Sequence, residues 1–527
     1  MTASGDFVFH AVEPAWCCHV WYVPISTLAT SSGWQRSDSA VEILRLAFAL
    51  LLPWLAGAVW LRAVWMRPGW SGEARGNWPM VLGYGFLLGM LGMTLILRVM
   101  DRMDLLTAFW LPLLIILAAI AVAIAVGRGR LLQPDICAGM WSVRLPAGWQ
   151  RWVFALLLSA LLVRFVSIGL EVVVRPVYPV DAVTAWSNRA RIWFETGSLA
   201  TPFTGDWWIG SLQGAYLSAG RDYPKTVPLI QIWVAAALGR WDDALVNLPW
   251  VLCWASLGLA FYGQARLARV AVLPALLFTY LLLSMPMLNT HAALAGYADL
   301  WLTATFGLCS LSFYRWTCTR DGSHAAIVLL LVLGMIAIKQ PGFMWLAPLI
   351  VAWLAAVVPM RWFIGIFVGV LAALTVIMLS GGFELSLPGI GAFGITPERI
   401  MLPLFRDFTV ESPAPLLGVQ LKHLFVFDNW HLAWPLIVAA LITAISLAVR
   451  ARDLRPMVVL AWSSIALYGF VFFFTSASEY LRIGTLNNRV MLQMMPVLMF
   501  LALIVVHRIL VQWQDRSARQ SVEMRAA

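Results

Sequence analysis

Arg175-Pro-Val-Tyr-Pro-Val-Asp181-Ala-Val-Thr-Ala-Trp186-Ser-Asn-Arg189-Ala-Arg191 follows directly on an apolar run at 151–174. The run is long enough to cross a bilayer, which takes ~20 residues. The segment therefore sets one carboxylate, Asp181, at the mouth of a membrane helix. Pro176 and Pro179 stiffen the approach by fixing φ. Trp186, Arg189 and Trp193 then recur at helical spacing, predicting a short surface helix with Asp181 near its start, where the helix dipole favours a negative charge. Some forty residues on, Arg221-Asp222-Tyr223-Pro224-Lys225 forms a second polar knot before further apolar sequence.

The rest of the chain is of one kind. Of 527 residues, 61% are hydrophobic and 12% charged, against about 45–50% and 25% in soluble domains. This is the composition of a polytopic, all-α membrane protein. The 29 Trp and 27 Phe suit interfacial belts. The net charge of +10 is spread over short loops, so it reads as topology bias and gives no nucleic-acid footprint. The six cysteines show neither CxxC nor Cys/His ligand spacing. No cleavable signal peptide is expected, because the first forty residues hold one basic residue, Arg36, and no apolar core.

Thirteen candidate spans fall at 41–65, 79–99, 105–126, 151–174, 246–263, 268–287, 299–316, 325–338, 341–358, 362–380, 431–450, 456–475 and 489–508. Basic turns at 62–75, 128–151, Arg266/Arg269, Arg315/Arg320, Arg361 and Arg450–Arg455 share one side if the N-terminus is outside and the C-terminus is cytoplasmic. Residues 226–239 are apolar but short, and counting them as a span would throw the later basic turns outside. They are expected to lie as an interfacial helix on the outer surface. The outer loops are then 175–245, 381–430 and 476–488. The organisation expected is an N-terminal tail with three additional helices (1–145), a core of 146–512 and a basic cytoplasmic tail of 513–527.

The order of motifs resembles GT-C-type membrane glycosyltransferases, among them protein O-mannosyltransferases and lipid A aminoarabinose transferases. The resemblance runs over about 150–510. It rests on Asp181, a surface helix ending Glu195-Thr-Gly197, the Tyr223-Pro224 knot, Asn247-Leu-Pro249, Gly296-Tyr297-Ala298-Asp299, Lys339-Gln340-Pro341-Gly342 and Asn488-Arg489. It implies a GT-C fold in a bacterial cytoplasmic membrane. It also implies transfer of a sugar from a polyprenyl-phosphate carrier to a lipid, glycan or protein acceptor on the non-cytoplasmic face, with membrane lipids as the other partners. By the same resemblance Asp181 matches the catalytic base.

The chemistry of that assignment is consistent. An inverting transfer needs one base at the attacking hydroxyl or amine, and a phosphate leaving group needs no proton. Ala182 stands where many relatives carry a second acid, a departure that counts against a metal at this position and against the base assignment; a divalent cation is kept as a possible cofactor. Arg189, Asp222, Tyr223, Lys225, Asp299, Lys339 and Arg489 are the candidates for binding carrier and substrate. Four of them have a plainer alternative: a solvated helix face for Arg189, snorkelling for Lys339, an interface anchor for Arg489, packing for Asp299. Arg164 and Glu171 lie within the span before the loop, where charged residues seek partners. Two other functions remain open, a lipid-sugar flippase or transporter and a non-catalytic assembly subunit with this fold.

Overall fold

The computed structural model describes residues 36–65, 77–131, 146–199, 223–387, 391–401, 407–411 and 415–526. Of the candidate site residues, Asp222 lies outside them. The chain is predominantly helical. Among the described residues nine helices are long and apolar enough to cross a membrane: Ala40–Ala63, Trp78–Asp101, Trp110–Arg128, Gln150–Val174, Leu245–Leu267, Met360–Leu379, Ala433–Arg450, Arg455–Phe474 and Leu486–Gln520. Helices suit such segments because each backbone N–H and C=O finds its partner inside the segment, where no water is available. Each of the nine overlaps a run expected from the sequence.

One further pair of helices is long and apolar enough only when its two members are taken together. Val272–Leu283 and Pro286–Ala293 meet at 63°. Pro286 is the cause, because it has no N–H to donate and pushes the residue before it out of the helical region; Met285 sits at φ −57, ψ 127. The remaining expected spans are of another kind. Asp299–Thr319 has 21 residues and is almost wholly buried, with Thr303, Thr305, Ser310 and Thr317 hydrogen-bonded back to carbonyls of their own helix. Gly322–Ile338 and Pro341–Val357 are shorter apolar helices.

For the argument below, α1 is Arg36–Trp60, α2 Asn77–Asp101, α3 Trp110–Leu131, α4 Gln150–Val174, α5 Asn188–Thr196 and α6 Thr226–Leu238. Helix α2 packs along α1 and along Leu248–Leu267, while Asp299–Thr319 packs on Leu248–Leu267, on Gly322–Ile338 and on the last helix. Tight α1–α2 contact depends on small residues; a Cβ on Gly57 would stand 2.0 Å from the Gly85 carbonyl oxygen. At the periphery, Met360–Leu379 buries no residue at all. Apolar side chains facing outward all round a helix suit a hydrocarbon solvent.

Two expectations are corrected. Helix α6 does not lie along a surface: all thirteen of its residues are buried, against α1, α2 and α5. Its sequence offers no polar face to water beyond Gln231, so enclosure suits it better than an interface. The segment at 381–430 is more than loop. It carries a four-stranded antiparallel sheet, β1 Phe383–Leu387, β2 Gly391–Ile395, β3 Arg399–Met401 and β4 Phe408–Thr409, in that order, followed by the helix Leu417–Phe425. Val410 bridges to Thr475, which ties the sheet to the end of Arg455–Phe474.

Candidate active site

Asp181 reaches its place through an anchored approach. The Val177 N–H bonds to the Asp243 carbonyl at 3.2 Å, and a π-helical turn, Ala182–Ser187, leads into α5. That helix ends at Gly197, whose left-handed φ of 69° suits a residue without Cβ. Glu171 is paired one turn on with Arg175, at 2.8 Å, rather than with another helix.

The aromatic and basic stripe read from the sequence does form one face, but that face points inward. Trp186 and Trp193 are buried, and so is Arg189. The solvated alternative for Arg189 is thereby set aside. Its guanidinium lies 4.7 Å over the Trp193 ring and donates to the Tyr223 carbonyl at 2.9 Å. Tyr223 stacks on Trp186 with ring centres 5.1 Å apart. Beneath them the Gln231 amide donates to Ser187 Oγ and to Asn247 Oδ1, both at 2.8 Å. One buried side chain thus fixes the Asp181 turn, α6 and the Asn247-Leu-Pro249 motif relative to each other.

At the mouth Asp181 is exposed and forms an ion pair with Arg489, 308 positions away in sequence. Arg489 also lies 4.5 Å over the Tyr297 ring and is 3.3 Å from its hydroxyl. The Tyr297 turn is held by Trp250, which donates to the Tyr297 carbonyl at 2.7 Å. Gly296 makes the approach possible. Its φ is 106°, and a Cβ there would stand 3.0 Å from that of Ala182. Burial raises the phenol pKa of both Tyr223 and Tyr297, with the charges of Asp181 and Asp299 acting in the same sense. Both therefore remain hydroxyl donors at neutral pH.

Behind this pair lies a second one. Lys339 Nζ is 2.8 Å from both carboxylate oxygens of Asp299. Gln493 donates to the same carboxylate at 3.1 Å and accepts from Trp345 at 2.8 Å. Two residues put forward as carrier ligands are therefore each other's partners. His291, 5.2 Å from Tyr297 by ring centres, is buried, and among the described residues its Nε2 has no hydrogen-bond partner.

Lys225 stands apart from Asp181, over the Trp193 ring at 5.4 Å and donating to the Leu199 carbonyl at 3.2 Å. Burial pushes its ammonium pKa down, while Asp101 opposes that shift. Beside it is Arg98, a residue that the sequence reading passed over, hydrogen-bonded to Thr226 Oγ1 at 3.1 Å. Its signal was present, since an arginine within an apolar run is by default a functional candidate. Among the described residues no group of three or more His, Cys, Asp or Glu is placed to hold a metal ion. Asp181, already paired with Arg489, does not by itself supply the oxygen set of a divalent cation.

The fold and this site define a polytopic, predominantly helical membrane protein with a polar cluster built from distant parts of the chain. No protein-family profile, curated protein or solved structure matches the sequence.

Proposed function

We propose that the protein is a GT-C-type membrane glycosyltransferase that moves a sugar from a polyprenyl-phosphate carrier to an acceptor on the non-cytoplasmic face. The observation that carries the reading is Asp181: an exposed carboxylate at a helix mouth, held by Arg489 and flanked by two phenols. Taking Asp299–Thr319, Gly322–Ile338 and Pro341–Val357 as passes, with the nine long helices and the bent pair, gives thirteen. The basic residues Arg269, Arg315 and Arg508 line a single pocket, which supports placing them together on the cytoplasmic side. Asp181 then faces outward.

In this reading Asp181 accepts the proton of the acceptor hydroxyl or amine as its lone pair attacks the anomeric carbon. The bond from that carbon to the phosphate oxygen breaks with inversion, and the phosphate leaves with the electron pair. Arg489 orients the carboxylate and offers a second N–H toward the departing oxygens, since guanidinium binds phosphate through paired donors. Tyr297 and Tyr223 supply hydroxyls to the sugar.

The test is a purified preparation in vesicles given a radiolabelled polyprenyl-phosphate sugar. Glycosyl product formed outside the carrier supports the reading. Label that crosses the bilayer while still on its carrier, without transfer, replaces it with a flippase.

A further inference from the structure

The three helices that precede the GT-C-like region enclose a cavity of about 730 Å³ with Gly322–Ile338 and the start of α6. Its wall is apolar apart from Thr94, whose hydroxyl donates to the Leu91 carbonyl of its own helix, and the group of Arg98, Lys225 and Thr226. On the flank, Leu95, Leu330 and Leu333 are exposed, so the cavity opens sideways where hydrocarbon would lie. An apolar slot of this kind takes a lipid chain, and the charges in its wall say what the chain should carry.

Among the described residues Arg98 has a neutral partner, the Thr226 hydroxyl, and Lys225 has a backbone carbonyl. The nearby carboxylate, Asp101, gives one oxygen to the Leu199 N–H and also faces Lys225. Among the described residues Arg98 and Lys225 thus share one carboxylate, and that carboxylate is already engaged by a backbone N–H. A cation in hydrocarbon without a full counter-charge is costly. An anion that arrives with its own apolar tail offsets that cost.

We propose that this slot binds a phosphate-bearing lipid, with the chain between α1, α2, α3 and Gly322–Ile338 and the phosphate against Arg98, Lys225 and the Thr226 hydroxyl. The head end borders the Asp181 cluster through Tyr223, two residues from Lys225 and stacked on Trp186. The three N-terminal helices thus form most of the wall of a lipid seat beside the site. Only the identification of that lipid as the sugar carrier rests on the glycosyltransferase reading; the seat itself does not.

Gly92 gives a clean probe. It lines the cavity, and a Cβ built there meets nothing within 4 Å. Gly92→Leu therefore projects a side chain into the slot from a position where a Cβ has room, and leucine is the better helix former. The delipidated full-length protein in detergent is incubated with polyprenyl monophosphate, with phosphatidylglycerol, or with the phosphate-free polyprenol, and bound lipid is counted by native mass spectrometry. Retention of at least one of the phosphate lipids and weak retention of polyprenol is expected. Gly92→Leu and the double variant Arg98→Gln/Lys225→Gln should each lower retention by about tenfold or more. Whichever phosphate lipid is kept identifies the source. Polyprenol held as well as its phosphate, no lipid held, or retention unmoved in Gly92→Leu would overturn the proposal. Binding lost while sugar transfer persists would remove the seat and leave the enzyme; transfer absent while binding persists would do the reverse.

Discussion

Two ion pairs stand in one cluster and differ in what surrounds them. Asp299 and Lys339 are sealed, their side chains 0% and 8% exposed, with Gln493 and Trp345 closing the network. Asp181 and Arg489 are at the mouth, 53% and 18% exposed. A sealed carboxylate has no other partner to turn to, so its ammonium holds the fold. A carboxylate open to water can exchange partners, which a base must do in every turnover. The two pairs even influence one another, since Asp299 acts electrostatically on Arg489. The inner pair thus frames the outer one.

The largest expected effect comes from breaking the inner pair. Lys339→Met leaves a buried carboxylate with only an amide for company and should cost about 3–5 kcal/mol, read as a fall in Tm in detergent. Asp299→Leu combined with Lys339→Met removes both charges and should recover most of that loss. If Lys339→Met is as stable as the parent, the inner pair is not structural.

Asp181→Asn is the counterpart at the mouth. It keeps volume and removes basicity, so if Asp181 is the base proposed above, turnover should fall by ~10²–10⁴. Tm should barely move, because a pair this exposed contributes little to stability. A variant that keeps its turnover but melts several degrees lower would exchange the roles assigned to the two pairs.

The contrast between the pairs was only half legible in the sequence. All four residues were singled out, because each interrupts or ends an apolar run and a charge there is conspicuous. What joined them was not, since pairing Asp181 with Arg489 across 308 positions is a property of packing. Long apolar runs were read well for the same reason that they form: the bilayer length and the helix rise set them locally. Enclosed helices were read badly. Thr226–Leu238 looks the same whether it lies on a surface or inside a bundle, and only its neighbours decide. The sheet was missed although Phe383-Glu-Leu-Ser-Leu387 alternates, because five residues among glycines give too short a pattern to weigh.

Between the pairs and the core, Gln231 links three elements through one amide. Gln231→Leu keeps the bulk and leaves Ser187 Oγ and Asn247 Oδ1 without their donor. Leaving buried acceptors unpaired should cost about 1–3 kcal/mol. If the frame matters to the outer pair, turnover falls with stability. A drop in Tm at full turnover would show that Asp181 is held by Arg489 alone.

The smallest effect tests whether the helix Leu417–Phe425 responds to acid. His423, on Leu417–Phe425, lies 3.2 Å from the Asn488 amide, one residue before Arg489, and burial lowers its pKa below the ordinary 6.5. Between the lowered value and 6.5 the unfolded chain holds a proton that the folded chain refuses. Stability is then complete above pH 6.5 and declines as the pH drops through that value. The expected change is modest, a Tm drop of roughly 2 °C or less from pH 7.5 to pH 5.5, and His423→Gln should flatten it. A Tm that rises on acidification in the parent but not in the variant would mean that the ring is protonated in the fold. The imidazolium would then face the Asn488 amide nitrogen as a second donor, and that amide would have to turn its oxygen to the ring.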